Sequence, residues 1–142
     1  MLTAELMNKR NAGSLPGLIG VEILEVDWGI IKSQLKVCPK VLAPNGYLHA
    51  ATAVALADTS CGWGTVVNLP KGAQGFTTIE LNSNFLATTH KGIIECEAKL
   101  AHEGHTTQVW DAQVSSAENS RIIALFRCTQ MILYPREPSH TG

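Results

Sequence analysis

Two segments of the chain alternate cleanly between apolar and polar positions. Ile31, Ser33, Leu35 and Val37 interleave with Lys32, Gln34 and Lys36, and Ile94, Cys96, Ala98 and Leu100 with Glu95, Glu97 and Lys99. A period of two marks a strand with one face in a core and the other in water. Upstream of the first segment, residues 18–26 place Ile19, Val21 and Ile23 on one face, and Trp28-Gly29 fits the turn of a hairpin. Further strands are expected over residues 75–86, 92–101, 106–116 and 121–133. Turn residues separate them at Lys91-Gly92, His102-Glu103-Gly104-His105 and Glu118-Asn119-Ser120. A short helix is expected over residues 3–11, and Leu15-Pro16-Gly17 punctuates the chain after it.

Between the strand groups lies a stretch of another kind. After the loop Leu42-Ala43-Pro44-Asn45-Gly46, residues 50–61 are rich in alanine, the best helix former, and predict a helix that ends at Gly62 and Gly64. The helix is apolar nearly all round, which implies cover on every side. Its one charge is Asp58, and a carboxylate in such surroundings is costly to desolvate unless something compensates. A single apolar helix beside about six antiparallel strands is best covered by a sheet curled around it. That α+β arrangement, a six-stranded antiparallel sheet wrapped around one long central helix, is the hotdog fold.

Composition narrows the function classes. The length predicts one domain over residues 1–142, with residues 136–142 a loose polar tail. A net charge of −1 and the absence of a Lys/Arg run argue against nucleic acid as a partner. The apolar run from Leu48 is broken at Asp58, short of the roughly 18 residues a membrane span needs, and the first ten residues lack a signal peptide's charged-then-apolar order. Cys38, Cys61, Cys96 and Cys128 form no CxxC pair and are expected as reduced thiols in a cytoplasmic protein. His102-Glu103-Gly104-His105 lacks the H-E-x-x-H spacing that sets two imidazoles on one helix face, so it reads as a turn and no metal is expected.

The segment Gly46-x-x-His49-Ala50-Ala51, followed after six residues by Leu56-Ala57-Asp58, resembles the G-x-x-H-G-G…L-A/V-D segment of hotdog acyl-CoA thioesterases of the PaaI-like (phenylacetate-degradation) type. The resemblance runs from Leu15-Pro16-Gly17 to about Leu133 and includes the strand Thr77-Thr78-Ile79-Glu80-Leu81-Asn82. It implies hydrolysis of an acyl-CoA, aromatic or of medium length, to free acid and CoA, with no cofactor. It makes the Ala50 N–H the donor that polarises the thioester carbonyl, His49 the residue that orients the helix start, and Asp58 either nucleophile or general base. Thr78 becomes a candidate for holding water, and Asn45, Gly46, Ala51 and Cys61 candidates for lining the substrate. Lys91, Lys99 and Arg121 are available for the phosphates of CoA.

Two departures stand out. The family's two glycines after the histidine are Ala50 and Ala51 here, a change that keeps the backbone N–H. The position six before the histidine, Asn or Gln in many of these enzymes, is Ala43; Asn45 lies two residues later, off the matching position. Two other readings follow from such differences. One is a non-catalytic acyl-CoA or lipid-binding module. The other is an acyl-thioester dehydratase or hydratase, disfavoured because no aspartate in the chain is followed at the D-x-x-x-x-H spacing by histidine: Trp63 follows Asp58, Ser116 follows Asp111, and Lys32 follows Asp27.

Helix geometry adds an independent argument. Nine residues at 1.5 Å and 100° each put His49 and Asp58 roughly 13 Å apart on opposite sides of the axis. One chain does not easily bring both to one substrate, so a homodimer or a dimer of dimers with composite sites is expected.

Overall fold

The computed structural model describes residues 1–136, so from residue 137 onward the expected loose tail lies outside the described residues. Helix α1 (Ala4–Asn11) starts at Thr3, whose hydroxyl accepts the Leu6 N–H at 3.2 Å, and carries Glu5 in its first turn and Lys9 and Arg10 in its last. Both charge placements suit the helix dipole. Helix α2 (Leu15–Ile19) replaces the expected start of a strand at Leu18. Pro16 begins it, where a fixed φ suits a first helical turn, and Gly20 ends it at φ +88°. The extended run therefore starts three residues later than its apolar pattern suggests.

Strands β1 (Val21–Asp27) and β2 (Ile30–Lys36) form the expected hairpin around Trp28-Gly29. Ile31, Ser33, Leu35 and Val37 are all buried, as the alternation requires. After helix α3 (Ala50–Val67) come β3 (Gly75–Phe85), β4 (Ile93–Glu103), β5 (Thr107–Ser116) and β6 (Ile122–Leu133). The strands form one antiparallel six-stranded sheet in the order β1-β2-β4-β5-β6-β3. Register shifts at Ile23/Glu25, Thr78/Glu80, Leu100/His102 and Val114/Ser115 bend the strands, and the sheet curls so that α3 touches every one of them. This is the helix-wrapped α+β arrangement anticipated above. Among the described residues no helix is long and apolar enough to cross a membrane.

The central helix differs from expectation at its end. It runs 18 residues to Val67, through both glycines, and closes at Asn68. Packing accounts for this. A Cβ at Gly64 would lie 2.5 Å from the Trp110 ring, and Trp110 is the largest fully buried side chain of the core. The intrinsic weakness of glycine in a helix, about 1 kcal/mol, is outweighed by the burial of an aromatic ring that needs the space. The Trp110 indole N–H donates to Gln108, whose amide donates to the Asn68 carbonyl, so the same strand that demands the glycine also holds the helix end.

The start of α3 is held just as firmly. The Val41 carbonyl accepts from both the His49 N–H (3.2 Å) and the Thr52 hydroxyl (2.8 Å), while the Leu48 N–H donates to the Thr89 carbonyl in the β3–β4 connection.

The Gly64–Trp110 contact yields a stability test. Gly64→Ala is expected to destabilise the protein by about 1–3 kcal/mol, lowering its melting temperature by about 3–10 °C, against the ordinary preference for alanine in helices. Gly13→Ala, where the added methyl meets nothing within 4 Å, serves as the control and leaves the melt near wild type.

Candidate active site

Within one chain α3 is not covered all round, which corrects the expectation from its sequence. Ala50 and Ala51 are exposed, and Val54, Ala55, Asp58, Thr59, Gly62, Trp63, Val66 and Val67 are only half-buried. These pairs recur every four residues and so occupy one flank of the helix. The opposite flank, with Leu56, Ala57, Ser60, Cys61 and Gly64, is buried against the sheet. Beside the open flank, the inner face of β3 is also bare. Leu81 and Phe85 are 44% and 48% exposed although their partners in β6, Cys128 and Ala124, are buried.

At the helix start, His49 is the N-cap: its Nδ1 accepts the Ala51 N–H at 2.9 Å. An accepting Nδ1 fixes the neutral ring with its proton on Nε2. Among the described residues the Ala50 N–H has no acceptor, which leaves a free donor at the positive end of an 18-residue helix. Asn45 and Gly46 form the tip of the preceding loop, with Gly46 at φ +85° and Asn45 Oδ1 accepting the Tyr47 N–H at 3.1 Å. That turn uses one lone pair of the Asn45 amide oxygen.

Asp58 lies two and a half turns further along, on a groove of about 320 Å³ lined by Asn11, Pro16, Asp58, Thr59, Gly62, Trp63, Val66 and Phe76. Burial pushes its carboxyl above the ordinary value of 3.8. Its Oδ1 is shielded from solvent and has no hydrogen-bond partner among the described residues. The sequence-derived candidates separate into four places. Asp58 is in the groove; His49, Ala50, Ala51, Asn45 and Gly46 are at the helix start and are not part of its lining. Thr78 lies in β3, where its hydroxyl donates to Oε1 of the fully buried Gln130 at 2.6 Å. Cys61 is fully buried, and its thiol is pushed well up by burial and by neighbouring Cys128. Cys96 is pushed up to about 12 by burial, so both thiols stay protonated and unreactive.

Asn11 was not foreseen. It closes α1, its Oδ1 accepts the Trp63 indole N–H at 3.0 Å, and its Nδ2 is buried without a partner among the described residues. No spacing or motif marks it; only the folding of α1 against α3 brings it to the groove. A larger concavity, about 710 Å³, lies on the sheet among Glu25, Lys32, Glu95, Glu97, Lys99 and Asp111; Cys96 borders it, but Asp58, Thr78, Cys61, Asn11 and the helix-start residues do not. His102-Glu103-Gly104-His105 spans the β4–β5 turn, where the His105 ring stacks on Tyr134.

Residues 45–123 match the family described as the thioesterase superfamily. Over 111 residues the chain is 34% identical to the 1,4-dihydroxy-2-naphthoyl-CoA hydrolase of Listeria monocytogenes, covering 78% of this chain and 89% of that protein. It is 23% identical over 123 residues to the proofreading thioesterase EntH of Klebsiella pneumoniae, covering 84% and 87%. Among solved structures, a thioesterase from Haemophilus influenzae superposes with a TM-score of 0.89 at 24% identity over 99% of this chain and 96% of the other. A mutant thioesterase from Pseudomonas aeruginosa gives 0.88 at 23% identity over 94% and 95%. These two likenesses speak for the fold.

The surroundings of Asp58 make a prediction about stability. Its folded pKa lies above its unfolded one, so between the two the folded state binds more protons and stability falls as pH rises. The cost is complete above the folded pKa and absent below the unfolded value. Asp58→Asn is expected to melt at a higher temperature than wild type at neutral pH, with the difference closing as pH falls toward 3.8. Thermal melts across a pH series would show it, and a gap that widens on acidification would contradict it.

Proposed function

The chain belongs to the thioesterase superfamily and is a thioester hydrolase, and on that premise we propose that it splits an acyl-CoA with an aromatic or medium-length acyl group, in a dimer whose sites each combine two chains. The observation that carries the reading is Asp58, a carboxylate with a solvent-shielded, unpartnered oxygen on the open flank of an otherwise apolar helix. The free Ala50 N–H of one chain polarises the thioester carbonyl and holds the oxyanion that forms at the tetrahedral stage. Asp58 of the other chain acts on the carbonyl carbon, either directly through a mixed anhydride or by taking a proton from water. In both routes water supplies the oxygen of the free acid, and CoA leaves as its thiol. His49 holds the helix start in shape, and Thr78 contributes a hydroxyl next to the reacting water. The helix-start pattern supports membership of the PaaI-like branch.

The two edges of the sheet support a dimer. At β1 the edge is blocked, because the Asn8 side chain donates to the Ile23 carbonyl (2.9 Å) and accepts the Ile23 N–H (2.7 Å). At β3 the edge is unpaired along Gly75–Phe85 among the described residues, with Ile79, Leu81 and Phe85 exposed. A long apolar edge invites another strand. A second copy meeting it across a two-fold axis would cover both β3 and the open flank of α3.

Thiol release from a panel of CoA thioesters (phenylacetyl, hydroxybenzoyl, short and medium acyl) is the direct test. Asp58→Ala is expected to abolish turnover, and the acid limb of the wild-type pH profile should lie above the ordinary carboxylate range because Asp58 must ionise. Binding of acyl-CoA without turnover would indicate the non-catalytic module instead. Ala50→Pro removes the N–H at the one helical position where proline fits, and should lower kcat about 10²–10³-fold in a folded protein. Mixed Asp58→Ala and Ala50→Pro chains should regain about a quarter of wild-type activity, since half of the pairs are hybrids with one complete site each. No recovery on mixing would mean that each site lies within one chain.

A further inference from the structure

We propose that the end of α3 holds a buried water-binding site, in which one water molecule accepts hydrogen bonds from Asn68 Nδ2 and Gln130 Nε2 and joins the helix end to the β3–β6 pair. The site shares no residue with the Asp58 groove and does not depend on the hydrolase reading.

A row of hydrogen bonds crosses the sheet at the helix end. The Gly29 N–H, in the β1–β2 turn, donates to Asn68 Oδ1 at 3.1 Å. The Asn68 carbonyl accepts from Gln108 Nε2 at 2.8 Å, and Gln108 Oε1 accepts the Trp110 indole N–H at 2.8 Å. Gln108 of β5 is the direct partner of Gln130 of β6, and Gln130 is the direct partner of Thr78 of β3. Side chains paired in this way start about 5 Å apart on one face of the sheet. Asn68, Gln108 and Gln130 are all buried, so bulk solvent does not serve their amides.

The chemistry of each bond settles which way the amides point. A backbone N–H only donates, so the Asn68 atom facing Gly29 is the oxygen and its NH₂ lies on the other side. The Gln130–Thr78 distance, 2.6 Å, falls in the range of an O–H···O bond and below that of N–H···O. The Thr78 hydroxyl therefore donates to Gln130 Oε1, and the Gln130 NH₂ is turned away from Thr78. The two oxygens are drawn to opposite ends of the row, one to the β1–β2 turn and one to the edge strand β3. Both NH₂ groups are left toward its middle, and each is buried without a partner among the described residues. Two NH₂ groups cannot satisfy each other; they need an acceptor between them.

The surroundings limit what that acceptor is. A cation is repelled by the two NH₂ groups. An anion meets no compensating charge, since Asn68, Thr78, Gln108, Trp110 and Gln130 are all neutral and the end of α3 is the negative pole of its dipole. A water molecule fits. Its oxygen accepts from both NH₂ groups, and Gln108 Oε1, with one lone pair used on Trp110, takes one of its hydrogens. The row also fixes the role of the half-buried Thr78 hydroxyl at its far end. With its hydrogen committed to Gln130, the Thr78 oxygen only accepts, so a group that meets it on the open side of β3 must bring a hydrogen.

The test is a crystal structure of wild type grown with sodium bromide, with anomalous data to tell bromide from water. The expected result is a single peak about 2.7–3.2 Å from both Asn68 Nδ2 and Gln130 Nε2, without anomalous signal. Bromide at that position would make it an anion site and overturn the assignment. Direct contact between the two amides, with Gln130 turned round so that its oxygen meets Asn68, would overturn it too, as would no peak between them. Nuclear magnetic resonance gives an independent reading in solution: the side-chain NH₂ signals of Asn68 and Gln130 should both show cross-peaks to a long-lived water. Gln130→Met removes one of the two donors and should abolish the Asn68 cross-peak. Its persistence would place the water on Asn68 alone and sink the bridge. Should that variant not fold, the wild-type crystal and spectra decide by themselves.

Discussion

A helix with no polar face must be covered from every direction, and a single curled sheet covers only one side. Most features of this structure answer to that constraint. The flank of α3 with Leu56, Ala57, Cys61 and Gly64 is fully buried against the strands, and the register shifts in four strands give the sheet the curvature to reach it. The other flank stays open beside an edge strand whose inner side is equally bare. The chain leaves apolar surface where it also leaves unpaired backbone, the combination that a second copy meets most economically. The far edge, stopped by the Asn8 amide, offers no such opening.

The unsatisfied polar groups are distributed in keeping with that division. Of the four buried side-chain atoms without partners among the described residues, Asp58 Oδ1 and Asn11 Nδ2 belong to residues lining the same groove, one an acceptor and one a donor. The other two, Asn68 Nδ2 and Gln130 Nε2, belong to a polar cluster around the end of α3, where the Asn68 amide oxygen accepts the Gly29 N–H and the Gln130 amide oxygen accepts the Thr78 hydroxyl. Well-packed interiors rarely tolerate such groups without a use. Two of the four thus fall in the groove beside the open flank, and one of them is the carboxylate whose burial raises its pKa.

Legibility from sequence followed the range of the interactions involved. Alternation located β2 and β4 and identified their buried faces, because period two is a local consequence of strand geometry. The helix start at Ala50 and the oddity of Asp58 were equally plain, since both are contrasts between neighbours in the chain. Leu18 and Ile19 misled, because an apolar pair does not distinguish the end of a short helix from the start of a strand; Pro16 and Gly20 decided the matter. Gly62 and Gly64 misled for the opposite reason. Glycine is a weak helix former by itself, and the ring that makes it necessary lies 46 positions away in the chain, at Trp110.

The sequence by itself determined the strands, the position of the central helix and its single acid, because each is encoded in residues close enough along the chain to form a pattern. The tertiary structure alone decided which flank of that helix is covered, where it ends, and that Asn11 stands in the Asp58 groove. Those outcomes depend on contacts between residues far apart in the chain, such as the bond from Trp63 across 52 positions to Asn11. Such contacts come from the packing of whole elements, and no local period records them.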